Sequence, residues 1–311
     1  MISRSGLPIK EISIVHIDNQ YVRRGEIDVR GLFSIQNVTR AVLARQPEIP
    51  LKLKELQDML AAGVVPQVDV GNHCIKPFPC DFIGYCWKDL PEDLPDPGEA
   101  SIRNQAELDA FKSHLVYPLF FMDFETFQAA VPIYDETRPY QQIPFQYSVH
   151  IQDEINANAR HLEFLATPPN DPRREFIESL LGDVGDKGTI LVYNKAFENR
   201  ILYEIARDLP EYSSQIEDVR NRLIDLMIPF RRKHLYLPEM RGKYSLKSVI
   251  PALVPDLSYD NLEIQEGGTA SATYELLFRE TNPEVIDRKR KDLLDYCCRD
   301  TESMVRLLAE M

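Results

Sequence analysis

Two carboxylates stand one residue apart in FFMDFETF, residues 120–127, among aromatic and apolar side chains. On an extended strand alternate residues share a face, so Asp123 and Glu125 point one way with Phe121 and Phe127. Met122 and Phe124 then point to the opposite side. For this strand alone a bland reading suffices: a half-exposed strand whose polar side happens to be acidic.

Two distant segments add acids with a similar inward bias. LVYNKAFENRILYEIA reads as a buried strand running into a helix, with Asn194 at the capping position and Glu198 beside the stripe made by Ile201 and Leu202. A first-turn glutamate is also what the helix dipole favours, which explains an acid here but not its place next to the apolar face. In LLDYCCRDTESMVRLL, Tyr296 and Asp300 are four apart, stacked on one helix face near Leu293, Cys297 and Val305. An inward carboxylate needs a partner. Arg299 or Arg200 would serve structurally, and a metal ion would serve chemically. Divalent cations bound about 3.5–4 Å apart require several convergent carboxylate oxygens, one ion activating water and the other stabilising a leaving oxygen. Without cations such acids repel one another and retain protons.

A different chemistry is suggested by Cys74, Cys80 and Cys86 in GNHCIKPFPCDFIGYCW. Three cysteines at regular short spacing suit zinc or a [4Fe–4S] cluster, each of which wants a fourth ligand, and His73 would complete zinc. Cys297 and Cys298 read as buried helix residues.

These residues need elements to hold them. Residues 12–23 alternate as a strand, and helical patterns follow in NVTRAVLARQ, with Asn37 as cap, and in PLKLKELQDMLAAG, which ends on Gly63. KDLPEDLPDPGEAS, residues 88–101, is too rich in Pro, Asp and Glu to bury much and reads as a linker. Beyond it, VYPLFFMDFETF, PFQYSVHIQ and RHLEFLAT read as an antiparallel meander. A helix, the strand GTILVYN and further helices complete the pattern. The expected fold class is therefore α/β: a mixed sheet flanked by helices, with a small N-terminal helical and cysteine-cluster region. The expected domains are 1–87, a linker over 88–115, and 116–311.

The chain has 311 residues, 44% hydrophobic and 27% charged, and a formal net charge of −13. That charge argues against a protein that simply coats nucleic acid, although bound cations reverse the local sign of a carboxylate site. There is no apolar run of membrane-spanning length and no secretory pattern at the start, so a cytoplasmic, membrane-free location is expected.

DFE, the NxxFE of Asn194 to Glu198, and the YxxxD of Tyr296 to Asp300 resemble the three exonuclease motifs of the DEDD superfamily, Tyr subtype, in the same order. The resemblance implies a ribonuclease H-like fold, with a mixed five-stranded sheet flanked by helices, and 3′–5′ exonuclease activity on DNA or RNA, with two Mg²⁺ or Mn²⁺ ions and single-stranded 3′ ends as partners. It makes Asp123, Glu125, Glu198 and Asp300 the metal ligands and Tyr296 the residue that orients attacking water. That family usually has Asp where Glu198 stands, and Asp225 is the reserve ligand. Phe127, Asn194, Lys243 and Lys247 are the implied substrate contacts. Arg231, Arg232, Lys233 and Arg241 join the two lysines in a basic patch that serves either phosphates or solvent. Over nearly the whole chain the sequence also resembles a bacterial family that joins a RecB-like, CRISPR-associated-type nuclease module with a cysteine cluster to a DEDD-type domain. Residues 1–87 then correspond to the tail of that module, without its catalytic acids or its upstream fourth cysteine. This departure, with Glu198, supports an alternative: a weak or inactive nucleic-acid-binding scaffold that keeps the fold.

Overall fold

A computed structural model describes residues 6, 8–66, 68, 72–74, 78, 80–86, 100–240 and 242–311. The chain divides into two units, Met1–Leu94 and Pro95–Met311. In the first, strands β1 (Ser13–Ile17) and β2 (Phe33–Asn37) pair antiparallel, with the short helix α1 (Val29–Leu32) between them. Helices α2 (Thr39–Arg45), α3 (Glu48–Ala61) and α4 (Ile83–Cys86) follow. Asn37 is not the cap itself: Val38 holds that place, and the Asn37 side-chain Oδ1 accepts from the Thr39 N–H. Leu32 and Cys74 are the buried apolar residues among those described here, and α3 leaves Leu51, Leu53, Leu56 and Leu60 exposed.

The second unit is built on one five-stranded sheet. Its strands are β4 (Leu119–Phe127), β5 (Ile143–Gln152), β6 (Arg160–Leu165), β7 (Thr189–Val192) and β8 (Leu223–Asp225), in the spatial order β6-β5-β4-β7-β8. β4, β5 and β6 form the expected antiparallel meander, whereas β7 and β8 add in parallel on the other side of β4. Parallel neighbours need crossovers. Helix α6 (Arg173–Val184) makes the first, and α7 (Lys195–Asp208) with α8 (Ser213–Asn221) makes the second. The sheet is thus mixed and flanked by helices, as the pattern of strands and amphipathic segments predicts.

Alternation along β4 decides what each face meets. Phe120, Met122 and Phe124 enter a core shared with Phe176, Leu180, Ile201 and Ile205 from α6 and α7. Leu119 and Phe121 enter a second core, on the opposite face, with Leu307 and Leu308 of α12 (Pro283–Glu310) and Val249 and Ile250 of α10 (Leu246–Leu253). Glycine is required at the mouth of β7: Gly188 has φ +86°, and a Cβ there would meet the Pro118 carbonyl oxygen at 2.1 Å.

Residues 100–115, expected as the end of a linker, instead contribute β3 (Ile102–Arg103) and α5 (Gln105–Ser113), while residues 87–99 lie outside the described residues. β3 pairs with β9 (Leu235–Tyr236), and Leu108 of α5 is fully buried in the second core. The apolar positions Leu108 and Phe111 of this short helix lie three apart, which suffices to dock it. Helices α9 (Ile228–Arg231) and α11 (Gly267–Leu276) complete the unit. No helix among the described residues is long and apolar enough to cross a membrane.

Candidate metal centre

The acids of β4 face α12 because that helix is locked in rotation against the sheet. The Gln146 side chain of β5 donates to the Leu293 carbonyl at 2.8 Å. Two turns on, Thr301 Oγ1 lies 2.6 Å from Ser148 Oγ and 2.8 Å from His150 Nδ1. Ser148 is the register partner of Asp123 and Gln146 that of Glu125. The polar contacts that seat α12 therefore sit beside the two acids, and they turn Tyr296, Cys297 and Asp300 inward. Asn282 caps the helix start by accepting from the Glu284 N–H.

One carboxylate oxygen each from Asp123, Glu125 and Asp300 lies within 4.8 Å of the others, the single set of three or more potential metal ligands so gathered among the described residues. Glu125 and Asp300 are buried and Asp123 is half-buried. Burial pushes the carboxyl groups of Asp123 and Glu125 well above their ordinary range, and neighbouring acids add to it. Asp300 is pushed up to about 6, again by burial, against hydrogen bonds from Tyr259 and Tyr296 and the charge of Lys247. Acids crowded together in this way disfavour one another's ionisation.

Glu198, on the first turn of α7, is 1% exposed, and its Oε2 has no hydrogen-bond partner. Burial raises it too, and the next cause is the charge of Asp123. The fourth expected acid thus lies close enough to Asp123 and Glu125 for their charges to act on it, although it falls outside the set that meets within 4.8 Å. Asp225, at the end of β8, adjoins Glu198 from the far side and accepts from the backbone N–H groups of Asn194 and Met227 at 3.1 and 3.0 Å.

The arginines that would make Asp300 a structural ion pair are engaged elsewhere. Arg299 pairs with Glu302 at 3.3 Å and donates to the Ser258 carbonyl, while the Arg200 guanidinium sits 5.6 Å from the centre of the Phe197 ring. Asp300 is held instead by the Tyr259 hydroxyl, at 2.6 Å. Tyr296 is buried, and its hydroxyl accepts from Lys247 Nζ at 3.2 Å. Burial and the neighbouring acids raise the Tyr296 pKa far above the ordinary phenol value, so it stays protonated and acts by hydrogen bonding. Lys247 also donates to the Gln265 carbonyl, and its ammonium lies 5.4 and 5.1 Å from the ring centres of Tyr259 and Tyr296. It is the cation that lowers the proton affinity of Asp123, Glu125 and Asp300. A cavity of about 420 Å³ opens beside it, lined by Pro251, Pro255, Leu257, Tyr259, Gln265 and Glu266.

Four expected substrate contacts separate into distinct groups. Lys247 adjoins the carboxylates, and Lys243 is exposed on the segment leading into α10. Asn194 is exposed but is not a side-chain cap: it takes a left-handed conformation, φ +80°, and its backbone N–H goes to Asp225. Phe127 is a correction. It is 1% exposed and packs between Tyr134, Phe145, Tyr274 and Phe278, so it is a core residue that no substrate reaches. Strand alternation placed it with the acids, and it does lie on their side of β4, in a third core with Leu293 and Tyr296 of α12, where Tyr274 and Phe278 cover it. Arg231, Arg232 and Lys233 are exposed, and Arg241 lies outside the described residues.

Sequence reasoning missed Tyr259, which sits in the loop PDLSYDN with no periodic neighbour to mark it. It also gave Cys297 no place in the site, yet that thiol lies 3.8 Å from Asp123 Oδ2. Its spacing of three from Asp300 was the available signal. In the first unit Cys74 is buried while Cys80 and Cys86 are exposed, and the three thiols do not gather into a ligand set.

Residues 120–245 match a family model described as a domain of unknown function, DUF2779. The match contains Asp123, Glu125 and Glu198 and ends before Lys247, Tyr259 and Asp300. Curated relatives extend the likeness. "Uncharacterized protein MG366 homolog" of Mycoplasma pneumoniae is 25% identical over 205 residues, covering 60% of this chain and 31% of that protein. "Uncharacterized protein UU173" of Ureaplasma parvum is 24% identical over 225 residues, covering 65% and 32%. "Uncharacterized protein MG366" of Mycoplasma genitalium is 26% identical over 207 residues, covering 60% and 31%. The matched part of this chain spans about a third of the length of these relatives. No solved structure matches significantly.

Proposed function

We propose that the second unit is a metal-dependent 3′–5′ exonuclease of the DEDD type with a ribonuclease H-like fold, hydrolysing terminal phosphodiesters of DNA or RNA. The observation that carries this reading is the meeting of Asp123, Glu125 and Asp300 within 4.8 Å, with the unpartnered, buried Glu198 alongside. Hard divalent ions prefer such an all-oxygen donor set, and a buried carboxylate oxygen with no partner is an acceptor waiting for a cation. Two Mg²⁺ or Mn²⁺ ions held there supply an activated water and a charge to stabilise the leaving oxygen.

The chain's own residues do the positioning. Asp123, Glu125, Glu198 and Asp300 hold the cations, and Tyr259 fixes the Asp300 carboxylate in one rotamer through its hydrogen bond. Tyr296, kept protonated, presents its hydroxyl beside Asp300 to orient the attacking water, while Lys247 holds the phenol in place. Lys247 and Lys243 supply positive charge where a phosphate backbone would arrive at an otherwise acidic surface. The wider reading makes the first unit the tail of a RecB-like module, in a cytoplasmic protein acting on single-stranded 3′ ends, without the zinc or [4Fe–4S] cluster expected of Cys74, Cys80 and Cys86, whose thiols do not come together.

A 5′-labelled oligonucleotide incubated with enzyme and Mn²⁺ or Mg²⁺ tests the proposal. A ladder shortening from the 3′ end is expected, and it should vanish in Asp123→Ala and Asp300→Ala. Undiminished cutting by either variant sinks the assignment. The position of Glu198 outside the close set favours, as a second reading, a nucleic-acid-binding scaffold that retains the fold. In that case the oligonucleotide binds without being shortened, and Mn²⁺ titration finds no pair of bound ions.

A further inference from the structure

Helix α7 carries a second pattern besides Glu198. Arg200, Tyr203 and Arg207 recur at spacings of three and four along it, and all three are exposed. In a chain of net charge −13 this outward stripe is basic and aromatic. The Arg200 guanidinium turns back over the Phe197 ring, on the turn that holds Glu198. Arg220 of α8 lies 5.4 Å from the centre of the Tyr203 ring, which it steadies without covering.

The same surface continues onto the loop 128–142, which begins three residues after Glu125. Gln141 and Arg173 both donate to the Asp208 carboxylate at the end of α7, at 2.8 and 3.0 Å, and Arg173 also donates to the Asp135 carbonyl. Within the loop, Tyr134 packs edge-on against Phe127, on the acids' side of β4. The loop is therefore fastened both to α7 and to the strand that carries Asp123 and Glu125. It presents Arg138 and Tyr140 to solvent. Tyr140 is 51% exposed at φ +59°, a conformation uncommon for a bulky residue, with its N–H donated to the Ala129 carbonyl at 2.9 Å. Arg138 and Arg200 both act on Glu204 through their charge, so the cations of loop and helix form one patch.

We propose that this face is the track along which a single-stranded nucleic acid leaves the metal centre, with Arg138, Arg200 and Arg207 on its phosphates and Tyr140 and Tyr203 stacked on its bases. Cations interleaved with exposed rings hold single strands without reading their sequence, because every base has a stacking face. Arginine suits the task, since its guanidinium pairs with phosphate and also stacks on rings. Seven residues separate Arg200 from Arg207, about 10 Å along the helix, so the track starts beside Glu198 and runs outward from it. A duplex hides its base faces and gains only the phosphate contacts. The inference rests on the reading of the second unit as a protein that handles nucleic acid, not on its cutting it.

The test is fluorescence anisotropy of the full chain with 5′-fluorescein dT12 and U12, in EDTA so that neither is cut, over a series of salt concentrations. Arg138→Gln with Arg200→Gln should weaken binding and flatten the log–log salt dependence by about 1.4, at about 0.7 per single-strand phosphate contact. Tyr140→Ala and Tyr203→Ala should each weaken binding about fivefold or more with the salt slope unchanged, and Tyr140→Phe and Tyr203→Phe should restore it. Arg160→Glu, on the opposite edge strand β6, is the charge control and should leave the slope as it is. Mn²⁺ affinity should be that of wild type in every variant, which separates this face from the carboxylates. The two oligonucleotides show whether the track serves DNA, RNA or both. Failure of wild type to bind either one overturns the proposal, as do arginine and tyrosine variants that bind with wild-type affinity and slope. If those variants bind normally while wild type shortens a labelled strand, only this inference fails. If they lose binding as expected and wild type shortens nothing in Mn²⁺, only the nuclease reading fails.

Discussion

Replacing Asp300 by Asn should stabilise the metal-free protein and weaken the metal-loaded one. In the folded chain Asp300 has a pKa of about 6, against an ordinary 3.8, chiefly because it is buried. The folded state therefore binds that proton more tightly than the unfolded state. Its stability falls as pH rises from about 4 to 6, and the loss is complete above 6. The gap of roughly two pH units corresponds to about 3 kcal/mol at neutral pH, at 1.36 kcal/mol per unit. Asn removes the charge and still accepts the Tyr259 hydrogen bond, so most of that loss should be recovered. For a unit of this size about 3 kcal/mol is a rise of ~6–12 °C in melting temperature at pH 7.5 with EDTA. Near pH 4 the advantage should vanish. With Mn²⁺ at a thousandfold excess over Kd the order should reverse, because wild type gains about 4.1 kcal/mol, more than the variant's advantage of about 3 kcal/mol, and the variant gains little. Differential scanning fluorimetry in the four conditions suffices. A variant that melts below wild type in EDTA at pH 7.5, or that responds to Mn²⁺ like wild type, refutes the picture of crowded acids awaiting a cation.

Tyr259→Phe removes a hydrogen bond to a buried carboxylate, worth about 1.5–3 kcal/mol, and should lower Mn²⁺ affinity roughly tenfold or more by titration calorimetry. His150 is held down to about 4 by burial and by His161, so its neutral form supports the fold. That support is lost as pH falls from 6.5 through 4, and His150→Gln should flatten the decline in unfolding free energy, read from urea melts, by about 1–2 kcal/mol after allowance for its partial exposure. Phe127→Ala should cost about 3–5 kcal/mol of stability in denaturant melts while leaving the Mn²⁺ affinity of the folded fraction unchanged, as befits a core residue. Gly188→Ala should cost about 2–4 kcal/mol, from the strained φ and the collision with Pro118, and is read in the same melts.

The sheet and its flanking helices were legible because β4, β5 and α12 each carry one uninterrupted period. Asp123 and Glu125 follow from a spacing of two on a strand, and Tyr296 and Asp300 from a spacing of four on a helix. Phe127 shares the acids' side of β4 as period two predicts, but Tyr134, Tyr274 and Phe278 bury it there, a tertiary covering that local sequence does not encode. Asn194 has the composition of a cap, yet its backbone is spent on Asp225, a contact across the sheet that local sequence does not encode. α5 was hidden by its acidic, proline-rich approach: two apolar residues were enough to dock it once a groove existed. Tyr259 and the proximity of Cys297 to Asp123 are products of tertiary packing alone.

Asp123 meets Cys297 across 174 residues of sequence, and the contacts that orient α12 all lie on strands made long before it. The site therefore has a time of assembly as well as a place. While a ribosome is still extending the chain, at about 5–20 residues per second, the sheet can form with its acids facing water. On the proposed metal-site reading, cation binding would wait until α12 lies across β4 and β5, and metal uptake would report that long-range step. A chain stalled before that helix emerges carries the first two motifs and no competence to use them.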